Sequence, residues 1–130
     1  MIIDNAEVAI AEACKRTSAS IDNFTAGPMY LDEGKKGGHE WIIEFSQQPD
    51  DLERFSKLLD EKLREINSDY DAKRYKDIAL QEPIIHVAPQ GTFYEWMKSR
   101  GKLGGQHKVP RLANNREYLD QLLAYKSHSS

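Results

Sequence analysis

The run Gly101-Lys102-Leu103-Gly104-Gly105-Gln106-His107-Lys108-Val109-Pro110-Arg111 holds the residues of this chain best suited to chemistry. Its three glycines, two lysines, arginine and histidine follow neither a helical nor a strand period, so the segment reads as a loop. Gly101, Gly104 and Gly105 let the backbone approach a bound group closely, while Pro110 stiffens the exit and biases Val109 towards an extended conformation. Such a loop presents Lys108, with His107 and Arg111 beside it, to an anion. Phosphate is the anion that a mobile lysine most often serves. A solvated basic linker between two helices is the plainer reading of the same composition.

The flanking elements must hold such a loop. Thr92 with Glu95 three residues on is the pattern of a capping box, and it predicts a helix through Phe93, Trp96 and Met97 to Arg100, with Gly101 as its left-handed stop. Asn114 or Asn115 is placed to cap a last helix carrying Tyr118, Leu119, Leu122 and Leu123. Residues 126–130 read as a frayed tail.

Upstream, Asp4 or Asn5 can cap a first helix in which Ala6, Ala9, Ile10, Ala13 and Cys14 repeat at three and four. Its small side chains suit close packing on a sheet, with Val8 and Ile10 as its larger apolar groups. From Ile21 the period becomes two. A first strand through Phe24 and Met29 contains Gly27-Pro28, which marks a bulge or an edge. After the glycine-rich turn 32–38, Trp41, Ile43 and Phe45 share one face of a second strand, completing an antiparallel hairpin. Those turn glycines lack the Gly-Lys-Ser or Gly-Lys-Thr of a nucleotide-binding loop.

Asp50 and Asp51 favour a helix start, and Leu52, Phe55, Leu58, Leu59, Leu63 and Ile66 recur along the longest helix as the largest apolar stripe of the chain. Glu53 with Lys57 and Asp60 with Arg64 are spaced as surface ion pairs on its wet side. Beyond Asn67-Ser68, Tyr70, Arg74 and Tyr75 form either a partner-binding face or a cover over the helix end. Pro83 to Ala88 predicts a short third strand, buried and central, in which His86 reads as a satisfied core histidine.

With 130 residues, the chain is one domain able to bury its own core. A net charge of −3 argues against a general nucleic-acid binder, and the lone Cys14 allows no internal disulfide and fits a reducing cytoplasm. No apolar run approaches the length of a membrane span, so a soluble chain is expected. The histidines lack metal-ligand spacing, and no metal site is predicted. The fold class is α+β: a small sandwich with one sheet of about three strands, an antiparallel hairpin plus a third strand parallel to the second, with helices packed mainly on one side. A split order, with the first strand between the other two, is the preferred topology.

Ile66-Asn67-Ser68-Asp69-Tyr70, Gly91-Thr92-Phe93 and above all Gln106-His107-Lys108-Val109-Pro110-Arg111 resemble the C-terminal domain of the auxin-responsive Gretchen Hagen family. The similarity runs in order from about Asp4 to Leu123. That family comprises acyl-acid amido synthetases of the adenylate-forming superfamily, which also holds acyl-coenzyme A synthetases. The resemblance implies that residues 1–125 are a mobile lid domain of an ATP-dependent ligase. It further implies that an acyl adenylate forms on a large N-terminal nucleotide-binding domain absent from this chain, and that an amino acid amine then attacks. Lys108 would be the catalytic residue. Arg111, Gln106, His107, Gly104 and Gly105 would hold the loop or the nucleotide. ATP with magnesium, a small carboxylic acid, an amino acid and the N-terminal domain are the implied partners, with the isolated chain inactive. The family's tyrosine is replaced here by His107, and a bulkier residue by Gly105. A freestanding interaction module without catalysis is the competing reading.

Overall fold

Five consecutive buried residues, Trp41 to Phe45, alternate between two faces and so demand cover on both. The computed structural model describes residues 3–30, 36–75, 80–99, 111–112 and 115–129. The chain runs α1 (Ile3–Thr17), β1 (Ser20–Tyr30), β2 (Lys36–Gln47), α2 (Leu52–Ile66), α3 (Ser68–Arg74), β3 (Ile84–Ala88), α4 (Thr92–Ser99) and α5 (Glu117–Ser129). α5 is therefore helical past Tyr125, where the sequence pattern leaves a tail.

The three strands make one open mixed sheet in the order β1-β2-β3. β1 is antiparallel to β2, with Phe24 opposite Ile43 and Ala26 opposite Trp41. β3 is parallel to β2, as predicted, with Ile85 beside Trp41 and Val87 beside Ile43. The split order is corrected, because β2 and not β1 lies in the middle. β3 is correspondingly an edge strand, with Ile84 exposed, rather than a buried central one. The apolar run Trp41-Ile42-Ile43 is the true signature of the central strand. Pro28 sits on β1, away from the centre, and the register shifts of β1 fall nearer its ends, between Ser20 and Asn23 and between Met29 and Tyr30.

Odd-numbered β2 side chains build the larger core. Trp41, Ile43 and Phe45 meet Phe24 and Ala26 of β1, Ala6, Ala9, Ile10 and Ala13 of α1, and Phe55, Leu58, Leu59 and Leu63 of α2. At about 1.5–3 kcal/mol per large apolar side chain buried, the α2 stripe is a main contributor. Asp51 caps α2, its Oδ1 accepting from the Glu53 and Arg54 amides at 3.0 and 3.3 Å. The alanines of α1 bring it chiefly against α2, more than against the sheet, while Val8 faces outward. α1 starts at Ile3, so Asp4 and Asn5 lie in its first turn rather than before it.

The reverse face carries a second cluster that the sequence pattern does not anticipate. Ile42 and Ala88 are covered there by Phe93 and Trp96 of α4 and by Leu119 and Leu122 of α5. Three helices thus pack on one side and two on the other.

Two charged residues assigned to the surface turn inward. Asp60 is buried and does not serve Arg64 as a surface partner. It receives a two-pronged pair from Arg74, Nε to Oδ1 and Nη2 to Oδ2, both at 2.7 Å, and the Tyr70 hydroxyl at 2.7 Å. Arg64 pairs with Asp71 instead. Tyr70 and Arg74 are consequently core groups, and only Tyr75 of the proposed partner face is exposed.

Candidate functional site

The basic run predicted as a loop stands between α4 and Arg111. Lys108, Gln106, His107, Gly104 and Gly105 lie outside the described residues, as does Gly101. Arg111 is described, and so are α4 before the loop and the arm through Leu112, Asn115 and Arg116 after it.

α4 starts at Thr92 as predicted, but by a different device. The Thr92 hydroxyl donates to the Pro89 carbonyl at 2.6 Å instead of accepting from Glu95. Gly91, at φ +91°, supplies the carbonyl that accepts the Glu95 amide at 2.9 Å. The Phe93 amide is capped at 2.9 Å by Oε1 of Glu44, a buried carboxylate on β2. A strand side chain thus takes the place of the local box, because it reaches the helix N-terminus from the sheet below and brings the negative charge that end favours.

The exit arm lies against β1. The Ala26 amide donates to the Arg111 carbonyl at 3.0 Å, and Leu112 bridges Ala26 in parallel. The Arg111 guanidinium sits 5.5 Å over the Phe24 ring and 3.2 Å from Oε1 of Glu7. Each contact is half exposed or peripheral, worth about 0.5–1 kcal/mol. Both contacts join Arg111 to α1 and β1 of its own domain. Beside it, α1 and β1 border a groove of about 520 Å³ that includes Cys14 and Phe24. Burial pushes the Cys14 thiol up, which makes it a poor nucleophile.

Further along, Gly27 is where the arm comes closest. A Cβ there would meet the Asn115 carbonyl at 3.0 Å and Leu119 Cδ2 at 3.4 Å. Asn115 then caps α5, its Oδ1 accepting from the Glu117 amide at 2.9 Å, as the sequence predicts. Arg116 Nη1 donates to the Pro28 carbonyl at 3.0 Å and to Oε1 of Glu40 at 2.5 Å. Arg116 also reaches Asp120, and the second oxygen of Glu40 meets His86 Nε2 at 2.8 Å. Burial alone would raise the Glu40 carboxyl, but hydrogen bonds and charge from Arg116 and His86 outweigh it and hold the group below its usual range. Burial likewise works against the Arg116 charge and is outweighed by Glu40 and Asp120.

Glu40 and Glu44 therefore share one face of β2, about 13 Å apart by strand rise, and each grips one arm of the basic loop. Neither stands out in the sequence, where they read as the polar half of an alternating strand. Gly27-Pro28 was the one available signal, since glycine inside a strand marks close backbone approach. Among the described residues no group of three or more His, Cys, Asp or Glu side chains is placed to hold a metal ion. Nor is any described helix long and apolar enough to cross a membrane.

Residues 4–117 match the family model described as GH3 family C-terminal domain. No curated protein matches the chain. Among solved structures, the chain is similar to a GH3.15 acyl acid amido synthetase, with a TM-score of 0.70 and 24% identity over 93% of this chain and 23% of that one. It is also similar to an AtGH3.15 acyl acid amido synthetase in complex with 2,4-DB, with a TM-score of 0.67 and 21% identity over 94% of this chain and 23% of that one. The chain thus spans about a quarter of the length of these two synthetases.

Proposed function

The chain belongs to the GH3 family, as its C-terminal domain, and from that membership we propose that it is the lid of an ATP-dependent acyl-acid amido synthetase. A carboxylic acid attacks the α-phosphorus of ATP, giving an acyl adenylate and pyrophosphate. An amino acid amine then attacks the activated carbonyl and releases AMP. Lys108 is the catalytic residue of the first step, placing its ammonium where negative charge grows on the α-phosphate. At about 4 Å and the effective dielectric of a partly closed site, one such cation contributes on the order of 4 kcal/mol before desolvation, a ceiling near a thousandfold in rate. Carrying it on a movable lid opens the site for the second substrate. Gln106, His107, Gly104 and Gly105 shape the loop around it, and Arg111 tethers the loop. Pockets for acid and amine belong to the rest of the synthetase, so the isolated chain is expected to be inactive. Magnesium is expected only with ATP.

The observation that carries this reading is the family match across both arms of the loop, with the Gln106 to Arg111 run between them. Burial of Tyr70 and Arg74 removes one of the two docking surfaces open to the competing module, the other being the basic loop itself. In the complete synthetase carrying this domain, Lys108→Ala should lower acid-dependent pyrophosphate release by a hundredfold or more, while the melting temperature stays within about two degrees. Release at the parent rate would remove the lysine from the chemistry.

A further inference from the structure

We propose that Gly27 and Glu40 are positioning residues for the adenylation step, acting through the exit arm of the Lys108 loop. The inference rests on the role given to Lys108 above.

The arm makes four successive contacts with one short stretch of β1. Ala26 takes the Arg111 carbonyl and pairs with Leu112. Gly27 admits the Asn115 carbonyl to a distance that any side chain would contest. Pro28, which has no amide hydrogen to offer the sheet, uses its carbonyl to receive Arg116 at 3.0 Å. β1 thus works as a rail beneath Arg111, Leu112, Asn115 and Arg116. Contact along a rail leaves sliding open, and Glu40 closes that freedom. Its carboxylate stands on the central strand, largely buried, and draws the same Arg116 nitrogen that reaches Pro28. His86 occupies its other oxygen and so fixes the carboxylate plane. Arg116 binds Asp120 as well, which ties the arm to the first turn of α5.

The groups facing this clamp are therefore Glu40 of β2, His86 of β3, and Arg116 with Asp120 at the start of α5. A pair that only stabilised α5 would not need Gly27 beneath the preceding residue. The combination of a sterically cleared seat and a charged stop defines the arm in two directions. Lys108 lies three residues before the first of these contacts, and reaction rates respond steeply to displacements of about 1 Å.

The test uses the complete synthetase with Glu40→Gln and, separately, Gly27→Ala, followed by single-turnover adenylate formation at saturating ATP and acid. Glu40→Gln should adenylate about ten- to a hundredfold more slowly and Gly27→Ala, whose neighbour need shift only slightly, about two- to tenfold, with the KM for ATP changed less than twofold in both. In a Lys108→Ala background neither should slow the step by more than about twofold, because the group being positioned is already gone. Hydrogen exchange at the Ala26 amide should be several-fold faster in Glu40→Gln. Should Gly27→Ala fail to fold, Glu40→Gln, which keeps shape and an acceptor oxygen, decides alone. A Glu40→Gln enzyme at the parent rate overturns the proposal, as does an undiminished effect without Lys108 or a slowed enzyme with unchanged Ala26 protection. A Lys108→Ala enzyme at the parent rate overturns this inference and the reading beneath it together, which separates the two failures.

Discussion

At the scale of single residues, Tyr70 shows how a tertiary partner changes a group's chemistry. Burial first, and then its hydrogen bond to the Asp60 carboxylate, push the Tyr70 hydroxyl far above its ordinary range. Ionising it would place two anions on one buried spot. A raised pKa in the folded state means that the stabilisation is complete below the unfolded value, near 10, and declines as pH rises beyond it. Chemical denaturation followed from pH 8 to 11.5 should therefore show stability falling above about pH 10. Tyr70→Phe should flatten that slope at a cost of about 1.5–3 kcal/mol at neutral pH, the range for a hydrogen bond to a charged group. A slope that is the same in both proteins would contradict the assignment. The buried His39 packs beside Tyr70, the two ring centroids 6.0 Å apart.

Between elements, the same carboxylate joins α2 to α3. Arg74 reaches Asp60 through two nitrogens and the Leu80 carbonyl through the third, at 3.2 Å, so one side chain secures the end of α3 and the approach to β3. Removing it strands a buried carboxylate. Arg74→Leu should cost about 3–5 kcal/mol, read from urea midpoints, whereas a surface pair would cost under about 1 kcal/mol. Replacing Asp60 and Arg74 together by apolar residues should recover much of the loss. Local spacing pointed elsewhere: Asp60 and Arg64 stand four apart on a helix, where a surface pair is the default. What decided otherwise was that the Asp60 position faces α3, so that desolvation made the two-pronged arginine the better partner. Glu44 and Thr92 teach the same lesson, since the start of α4 was legible while the group capping it was not.

For the whole molecule, the clamp on Glu40 predicts that the two faces of the sheet respond differently to acid. Glu40 is held below its usual range, so its contribution is present above the unfolded value near 4.3 and is lost as pH falls through the lower folded value. That loss loosens Arg116 and, with it, the attachment of α5. Trp96, packed edge-on to Tyr118 at 5.6 Å, reports this face, while Trp41 reports the opposite core. Acid titration of single-tryptophan variants should show the Trp96 signal changing at a higher pH than the Trp41 signal. Coincident transitions would mean that the clamp does not set the stability of its face. α4, which precedes the basic run, belongs to this second layer, and Arg111, which follows it, lies beside β1.

The sequence by itself determined the elements and their kinds, the apolar stripe of α2, the hairpin, the parallel third strand and the family motif around Lys108. The elements, stripe and hairpin follow from periodicity and local stereochemistry, which act over three or four residues, the parallel strand from the helical crossover before it, and the motif from resemblance to a family. Only the tertiary structure decided that β2 is central, that a second cluster covers the reverse face, and that Glu40 and Glu44 hold the two arms. Arg116 lies 76 residues from Glu40, and Phe93 lies 49 from Glu44. A charge chooses among such distant partners according to which burial leaves it compensated, and that choice exists only once the chain has closed around it.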